Sequence, residues 1–315
     1  MAAMTMKAVR MHNYGGPEVL VYEDAPRPEP GEGEILIRVY AAGVNPLDWK
    51  VRAGQRKELL QHKLPLILGW DVSGVVESVG SGVETPRAGE QVFARLDTSR
   101  DGSYAEYTVS DARIVAEKPV SIDHIIAASV PLASLTAWQG LFEAGRLMPR
   151  QRVLIHGAAG SVGGFAVQFA KQKGAWVAAA VKGTDREYAS TLGADEVVDY
   201  DAAPFEEALS PVDLILDVIG GEIQERSLKV LRRGGVLVST LGIHVAEQAR
   251  SQGIETRGFW VRSDGEQLSE IAKLVDAGKL KLNVGTVLPL NKAREAHELV
   301  ESGRAKGKLV LKVRD

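Results

Sequence analysis

The stretch Val153-Leu-Ile-His156-Gly157-Ala-Ala-Gly160-Ser-Val-Gly163-Gly-Phe-Ala-Val-Gln-Phe-Ala170 decides how this chain folds. A short apolar strand runs into a glycine-rich turn, and the turn into an amphipathic helix with Phe165, Val167 and Phe169 among its apolar positions. A dinucleotide needs that order. The turn lets backbone approach a pyrophosphate, and the helix N-terminus supplies free N–H groups and a positive dipole end. The pattern is Ala158-x-Gly160-x-x-Gly163, with alanine where the usual fingerprint has its first glycine. A second strand, Trp176 to Val181, follows Gly174, so the context predicts a nucleotide-binding turn rather than a loop that only caps a helix.

Strands and helices alternate outward from this point: strand 152–156, helix 161–173, strand 176–181, helix 185–192 and strand 196–199. Strand 213–218, helix 222–232, strand 235–240 and strand 256–261 follow. Short connections between such elements imply parallel βαβ units and a doubly wound sheet of six strands. The first ~120 residues read differently, as short strands at 7–11, 20–23, 34–44, 71–79, 91–95 and 104–109 between glycine- and proline-rich turns. Helical periodicity begins at 122–130 and 134–145. After Arg262 the pattern is helix 264–277, strand 280–288, helix 291–302 and strand 308–313.

With 315 residues, 45% hydrophobic and 25% charged, the chain has the composition of an ordinary globular protein of about two domains. Its net charge of −3 and lack of a basic run argue against nucleic acid as a partner. No segment approaches ~18 uninterrupted apolar residues, so no membrane span is expected. Met1 to Met11 lacks an apolar signal core, which points to the cytoplasm. There is no cysteine, which removes thiolate catalysis and every cysteine-containing zinc site. The six histidines (12, 62, 124, 156, 244 and 297) are scattered, with no pair at helical ligand spacing, so no protein-bound metal is expected.

Cofactor choice is set at the end of the second strand of the parallel sheet. An acidic residue ~20 positions beyond the glycine turn would bind the ribose 2′-hydroxyl of NAD. That place holds Lys182, followed by Gly183-Thr184-Asp185-Arg186. A lysine and a nearby arginine attract the 2′-phosphate that a carboxylate would repel, so NADPH is the expected cofactor. Asp185 dissents, although it also suits the N-cap of the next helix. In the β-rich part, Asn45-Pro46-Leu-Asp48-Trp49-Lys50 pins polar groups beside a rigid ring, which suggests Asn45 and Asp48 at a cleft and Lys50 near a substrate. An ordinary turn with a solvated lysine is the plainer alternative. Leu68-Gly69-Trp70-Asp71 either shapes a pocket, with Trp70 as a wall, or closes a barrel.

Taken in order, Asn45-Pro-Leu-Asp48, Gly69-Trp-Asp71-Val-Ser-Gly74, Gly102-Ser-Tyr104-Ala-Glu-Tyr107, Leu135-Thr136-Ala-Trp138 and the Val153–Gly163 turn carry a family resemblance. With Gly193-Ala-Asp-Glu-Val-Val-Asp-Tyr200 and Gly307-Lys308-Leu-Val-Leu, they resemble the zinc-independent medium-chain dehydrogenases/reductases of the quinone oxidoreductase group. The Asn45–Lys50 run is most similar to members that reduce the double bond of enones. The resemblance implies a GroES-like partial barrel (residues 1–122 with 263–315) and a Rossmann domain (123–262), with NADPH in the cleft between them. It assigns cofactor contacts to Thr136, Ala159, Gly160, Ser161, Val162, Lys182 and Tyr200, and the charge of Arg186 and the cleft position of Asp48 add those two. The loops Leu241-Gly242-Ile243 and Trp260-Val261 complete that set. Zinc alcohol dehydrogenases of the family hold their metal through a cysteine and a Gly-His-Glu segment; Asn45 and Gly69-Trp70-Asp71 stand at the matching places.

The implied reaction is hydride transfer to a quinone or to the β-carbon of an α,β-unsaturated carbonyl, with the protein orienting the reactants and excluding water. Asn45, Lys50 and backbone N–H groups near Gly242 are the candidate donors to the carbonyl oxygen. No tyrosine follows in Val51 to Lys57, where some enoyl reductases of the superfamily keep a proton donor, which leaves water or Lys50. Two other readings are an enoyl reductase of a lipid or polyketide pathway and an NADPH-binding regulatory or nucleic-acid-associated protein. Symmetric pairing into a homodimer is the default expectation.

Overall fold

The computed structural model describes residues 4–315; the first three residues of the Met1–Met11 stretch lie outside the described residues. The chain divides into two compact units, the first ending at Leu132 and resuming with Ser263–Asp315, the second running from Ala133 to Arg262.

The first unit is β-rich and GroES-like. A long strand, Glu34–Val44, pairs antiparallel with Asp71–Val79, with the last strand, Lys308–Lys312, and with Tyr107–Asp111. Val284–Pro289, Gln91–Arg95 and Val115–Glu117 extend this seven-stranded sheet, and Thr5–Met11, Leu20–Pro26 and Leu66–Ile67 form a second sheet of three. The apolar face of these strands closes over Ile35, Ile37, Val39, Val72, Leu68, Trp70 and Tyr104. This unit continues to Leu132 rather than ending at 122. The short helix His124–Ala127, capped by the Asp123 carboxylate accepting from the Ile126 N–H at 2.8 Å, packs on the two central strands.

The second unit is a parallel sheet in the order Glu196–Asp199, Trp176–Val181, Arg152–His156, Val212–Asp217, Leu231–Ser239, Glu255–Gly258. The strand order reverses direction on either side of Arg152–His156, which makes that strand's carboxyl end the switch point where doubly wound sheets bind ligands. Several boundaries differ from the sequence pattern. The helix expected over 222–232 is only Ile223–Ser227, because the next strand begins at Leu231. The helix expected over 134–145 is α-helical from Pro131 to Trp138 and then widens into a π-helical turn, Gln139–Ala144. The strand expected over 104–109 is Tyr107–Asp111, since Ser103 and Tyr104 donate their N–H groups to Gly69 and Leu68 instead, at 2.6 and 3.0 Å.

Burial keeps three histidines neutral. His124 and His156 are brought down to about 4, and His297 to about 3, where the adjacent Arg52 guanidinium adds to the effect. The Nδ1 of His297 lies 3.3 Å from Arg52 Nη1, and Arg52 is paired at 2.6 Å with Glu301. Each such ring binds its proton in the unfolded chain near pH 6.5 but not in the folded one, so stability present above pH 6.5 is lost as pH falls. The loss per group approaches ~1.4 kcal/mol for each pH unit inside that window. Buried Asp48, held up to about 7, works in the opposite sense between pH 3.8 and 7. His297→Gln is therefore expected to flatten the fall of melting temperature between pH 6.5 and 4. Thermal melts in a pH series check this, and parallel wild-type and variant curves would refute it.

Candidate functional site

Two sets of residues meet the requirements of a site, one in each unit. In the first, Pro46 opens a short helix, Pro46–Arg52, with Asn45 at its N-cap. The Asn45 backbone N–H donates to Asp48 Oδ2 at 2.7 Å, and the Tyr104 hydroxyl donates to the same oxygen at 2.9 Å. Burial raises the Asp48 carboxyl to about 7, against the lowering effect of those two donors, and pushes the Tyr104 phenol well above its usual value. Tyr104 reaches this place because residue 69 is glycine: at φ +87°, any Cβ there would lie 2.2 Å from the Tyr104 ring.

The Asn45 side chain is fixed at both ends. Its Nδ2 donates to Asp71 Oδ2 at 2.9 Å, and its Oδ1 accepts from the Lys308 ammonium at 2.5 Å. Lys308 also pairs with Asp71 Oδ2 at 3.0 Å, while Asp71 Oδ1 accepts the Leu132 N–H at 2.7 Å. Asp71 is wholly buried and Lys308 is 5% exposed. Gly43 is needed beside them, since a Cβ at 43 would come within 2.4 Å of the Ala128 carbonyl oxygen.

Two of the assigned residues in this unit are wholly buried. Trp70 is fully buried, donates its indole N–H to the Arg100 carbonyl at 3.2 Å and stacks on His62. Asp48 is a helix-capping carboxylate and is wholly buried. Lys50 stands on the same helix, part-buried, with its ammonium 5.7 Å from the Trp49 ring and its pKa lowered by burial and then by Arg56.

In the second unit the glycine turn has the predicted shape with a shift of one residue. Gly157, at φ +66°, makes the left-handed turn, while Ala158 is a buried residue at the position of the usual first glycine. A Cβ at Gly163 would lie 2.2 Å from the Gly157 carbonyl oxygen, so the helix Ser161–Gln172 can pack against the strand end only with glycine there. Gly160 and Ser161 are exposed, and Ala159 and Val162 partly so, at the N-terminus of the helix Ser161–Gln172. Thr136 is buried, whereas Gly242 and Trp260 are exposed, and Leu241, Ile243 and Val261 are part-buried.

The loops that frame this turn depend on residues the sequence did not single out. Asp217 Oδ1 accepts the Ile219 and Gly220 N–H groups at 2.9 and 2.8 Å, and its Oδ2 accepts from Ser239 and Gln224. Gln224 then donates to the Gly242 carbonyl at 2.8 Å and accepts the His244 N–H at 3.0 Å, which fixes the Leu241–Ile243 loop. An aspartate at a strand end, two residues before Ile219 and Gly-Gly, was the available signal. At the second strand end Lys182 and Arg186 are exposed. Gly183 packs against Asp199, whose Oδ2 would be 2.6 Å from a Cβ there. Asp185 occupies the N-cap place of the helix Arg186–Thr191 without a side-chain capping bond. Tyr200 is raised by burial and by Asp201, Asp185 and Asp199.

Comparison with known proteins shows to which of them the chain is similar. Residues 31–120 match the alcohol dehydrogenase GroES-like domain, and residues 192–311 match a family described as zinc-binding dehydrogenase. The 2-methylene-furan-3-one reductase of Solanum lycopersicum is 35% identical over 97% of this chain and 79% of its own length. A chloroplastic NADPH-dependent alkenal/one oxidoreductase of Arabidopsis thaliana is 34% identical with the same coverage, 97% and 79%. The quinone oxidoreductase structure from Coxiella burnetii superposes with a TM-score of 0.91 at 34% identity, covering 99% of this chain and 100% of that one. The fold and these similarities define an alcohol-dehydrogenase-type oxidoreductase. The chain belongs to the medium-chain dehydrogenase/reductase family, in its quinone and enone oxidoreductase group.

The glycine turn gives a paired expectation. Gly163→Ala should destabilise the protein, because the new methyl group meets backbone at 2.2 Å. Gly164→Ala, whose Cβ would meet nothing closer than 3.6 Å, should stabilise the helix by roughly 0.5–1 kcal/mol. Urea unfolding of both variants measures the contrast, and equal effects would contradict the close approach.

Proposed function

We propose that the chain is an NADPH-dependent reductase of quinones or α,β-unsaturated carbonyl compounds, and that it works without zinc. The observation that carries the zinc-free reading is the buried Lys308 ammonium bonded to Asn45 Oδ1 and Asp71 Oδ2. Asn45 and Asp71 stand where the family's zinc enzymes have a cysteine and the last residue of Gly-His-Glu. An amide, a carboxylate already neutralised by an ammonium, and no thiolate or imidazole are a poor donor set for zinc. Among the described residues no three His, Cys, Asp or Glu side chains are grouped to hold a metal ion.

Bound NADPH supplies the hydride. The chain's own part is to hold the cofactor at the Gly157–Gly163 turn and to meet the charge that develops on the substrate's carbonyl oxygen. Asn45 suits that second task. Its Oδ1 and one of its amide hydrogens are taken, so the group it has left to offer is a second Nδ2–H, a donor held in one orientation. Part-buried Lys50, its pKa lowered, is the candidate proton source beside water. The relatives named as enone and quinone reductases support the substrate class. Lys182 and Arg186 support NADPH over NADH, since both are exposed and no ion pair of either is seen among the described residues. A homodimer fits the open sheet edge at Glu255–Gly258, and a cytoplasmic location is the reading of the sequence.

A screen of NADPH oxidation against quinones and enones tests the reading. Turnover above cofactor background, undiminished after chelation and with no stoichiometric zinc in elemental analysis, is the expected result. Loss of activity on chelation would overturn the zinc-free part, and no turnover would favour a regulatory NADPH-binding protein. The cofactor preference should be roughly ten- to a hundredfold for NADPH, discounted for the exposure of both cations. Lys182→Asp should remove most of it by weakening NADPH and sparing NADH. Equal losses for the two cofactors would show Lys182 to be a solvated strand-end residue.

A further inference from the structure

The polar face of the first unit holds one more charge than the reductase reading uses. Arg95 ends the strand Gln91–Arg95 and stands directly opposite Asp71 in the antiparallel ladder, so the two side chains leave the sheet on the same face. Arg95 is 3% exposed. Its Nη1 donates to Ser263 Oγ at 2.8 Å, while Nε and Nη2 are buried and have no partner. Asp71 does not neutralise it by contact, because its oxygens accept from Leu132, Asn45 and Lys308. Burial brings the guanidinium down to about 10, with Asp71 and Asp97 pulling the other way. A buried cation with donors left over is unusual in a folded protein and asks for a partner.

The identity of the spare donors narrows what that partner is. Nε and Nη2 lie along one edge of the planar guanidinium, and their two N–H bonds run parallel. That edge matches the two oxygens of a carboxylate, which give each N–H a straight bond, whereas a lone carbonyl oxygen can take both only at bent angles. Ser263 holds the opposite corner and so fixes which edge is free.

We propose that the Nε–Nη2 edge of Arg95 is a carboxylate-binding site, and that the compound reduced carries a carboxylate beside its unsaturated carbonyl group. The proposal rests on the reductase reading and adds the substrate's charge to it. It is tested by kcat/KM for trans-4-oxo-2-pentenoate and for its methyl ester, with wild type, Arg95→Met and Arg95→Lys. The acid is expected to be favoured roughly ten- to a hundredfold by the wild type, as one charge-assisted bidentate contact allows. In Arg95→Met the ratio should fall to near one, chiefly through the KM of the acid. Arg95→Lys should keep part of it, since an ammonium retains the charge without the fork. The ratio is internal to each protein, so loss of folded enzyme cancels. Equal efficiency for acid and ester in the wild type, or a ratio that Arg95→Met leaves in place, overturns the carboxylate site while the reductase reading stands. A raised KM for NADPH with the ratio unmoved assigns Arg95 to the cofactor and also overturns it. Should neither compound nor a simple quinone be turned over, the reductase reading fails. Calorimetric titration with 4-oxopentanoate then decides the site alone: binding by wild type but not by Arg95→Met supports it, and no binding refutes it.

Discussion

Burying the Lys308 ammonium against Asp71 and Asn45 is the constraint around which the first unit is arranged. Removing a carboxylate and an ammonium from water costs several kcal/mol for each ion, and their attraction offsets this only when the remaining hydrogen-bonding capacity is met. The structure meets it closely: the Leu132 N–H takes the other oxygen of Asp71, and the Asn45 amide bridges acid and base. Three separate stretches of chain are therefore held to one point, the start of the last strand, the turn after Val44 and the strand that begins at Asp71. Remove any one of the charged partners and the other is left buried and unpaired, so the arrangement specifies position more than it adds stability.

The second unit solves a similar problem with neutral donors. Asp217 is also wholly buried, but its charge is spread over two backbone N–H groups, a hydroxyl and an amide. No cation is needed, and the same bonds set two loops next to the glycine turn. In both units a buried aspartate at a strand end organises the polypeptide of the candidate site.

Much of this was legible in the sequence, and what was not has physical reasons. The turn at 157–163 could be read because glycine spacing and a change of hydrophobic period coincide there. The β-rich start and the parallel sheet followed from periodicity alone. The helix at 223–227 was overextended because Leu228, Val230 and Leu231 satisfy both a helical and a strand pattern. Trp70 between glycines reads equally as a pocket wall or as core, and only packing distinguishes them. Asn45 was legible from its Asn-Pro turn. Lys308, its partner, is hidden, because nothing local marks a lysine at a strand start as buried. The loop-holding role of Gln224 was hidden for the same reason: its partners are Asp217, Ser239 and Gly242, and no short motif joins them.

The first unit is interrupted in sequence, with residues 133–262 intervening before Ser263. Lys308 and Asn45 are 263 positions apart, so a ribosome delivers the amide long before its cation. Until the final strand emerges, Asp71 lacks the Lys308 ammonium, and only the Ala41–Val44 end of the strand Glu34–Val44 lacks a neighbour on that edge, since residues 34–38 already pair with Tyr107–Asp111. The intervening unit has a complete sheet of its own and is synthesised first to its end, which lets it mature as a separate folding unit. Closing so long a loop adds only slowly to the entropic cost, but it delays the contact. During synthesis the nucleotide-binding half of this enzyme thus precedes the half that holds Asn45, and an exposed strand edge is the hazard of the interval.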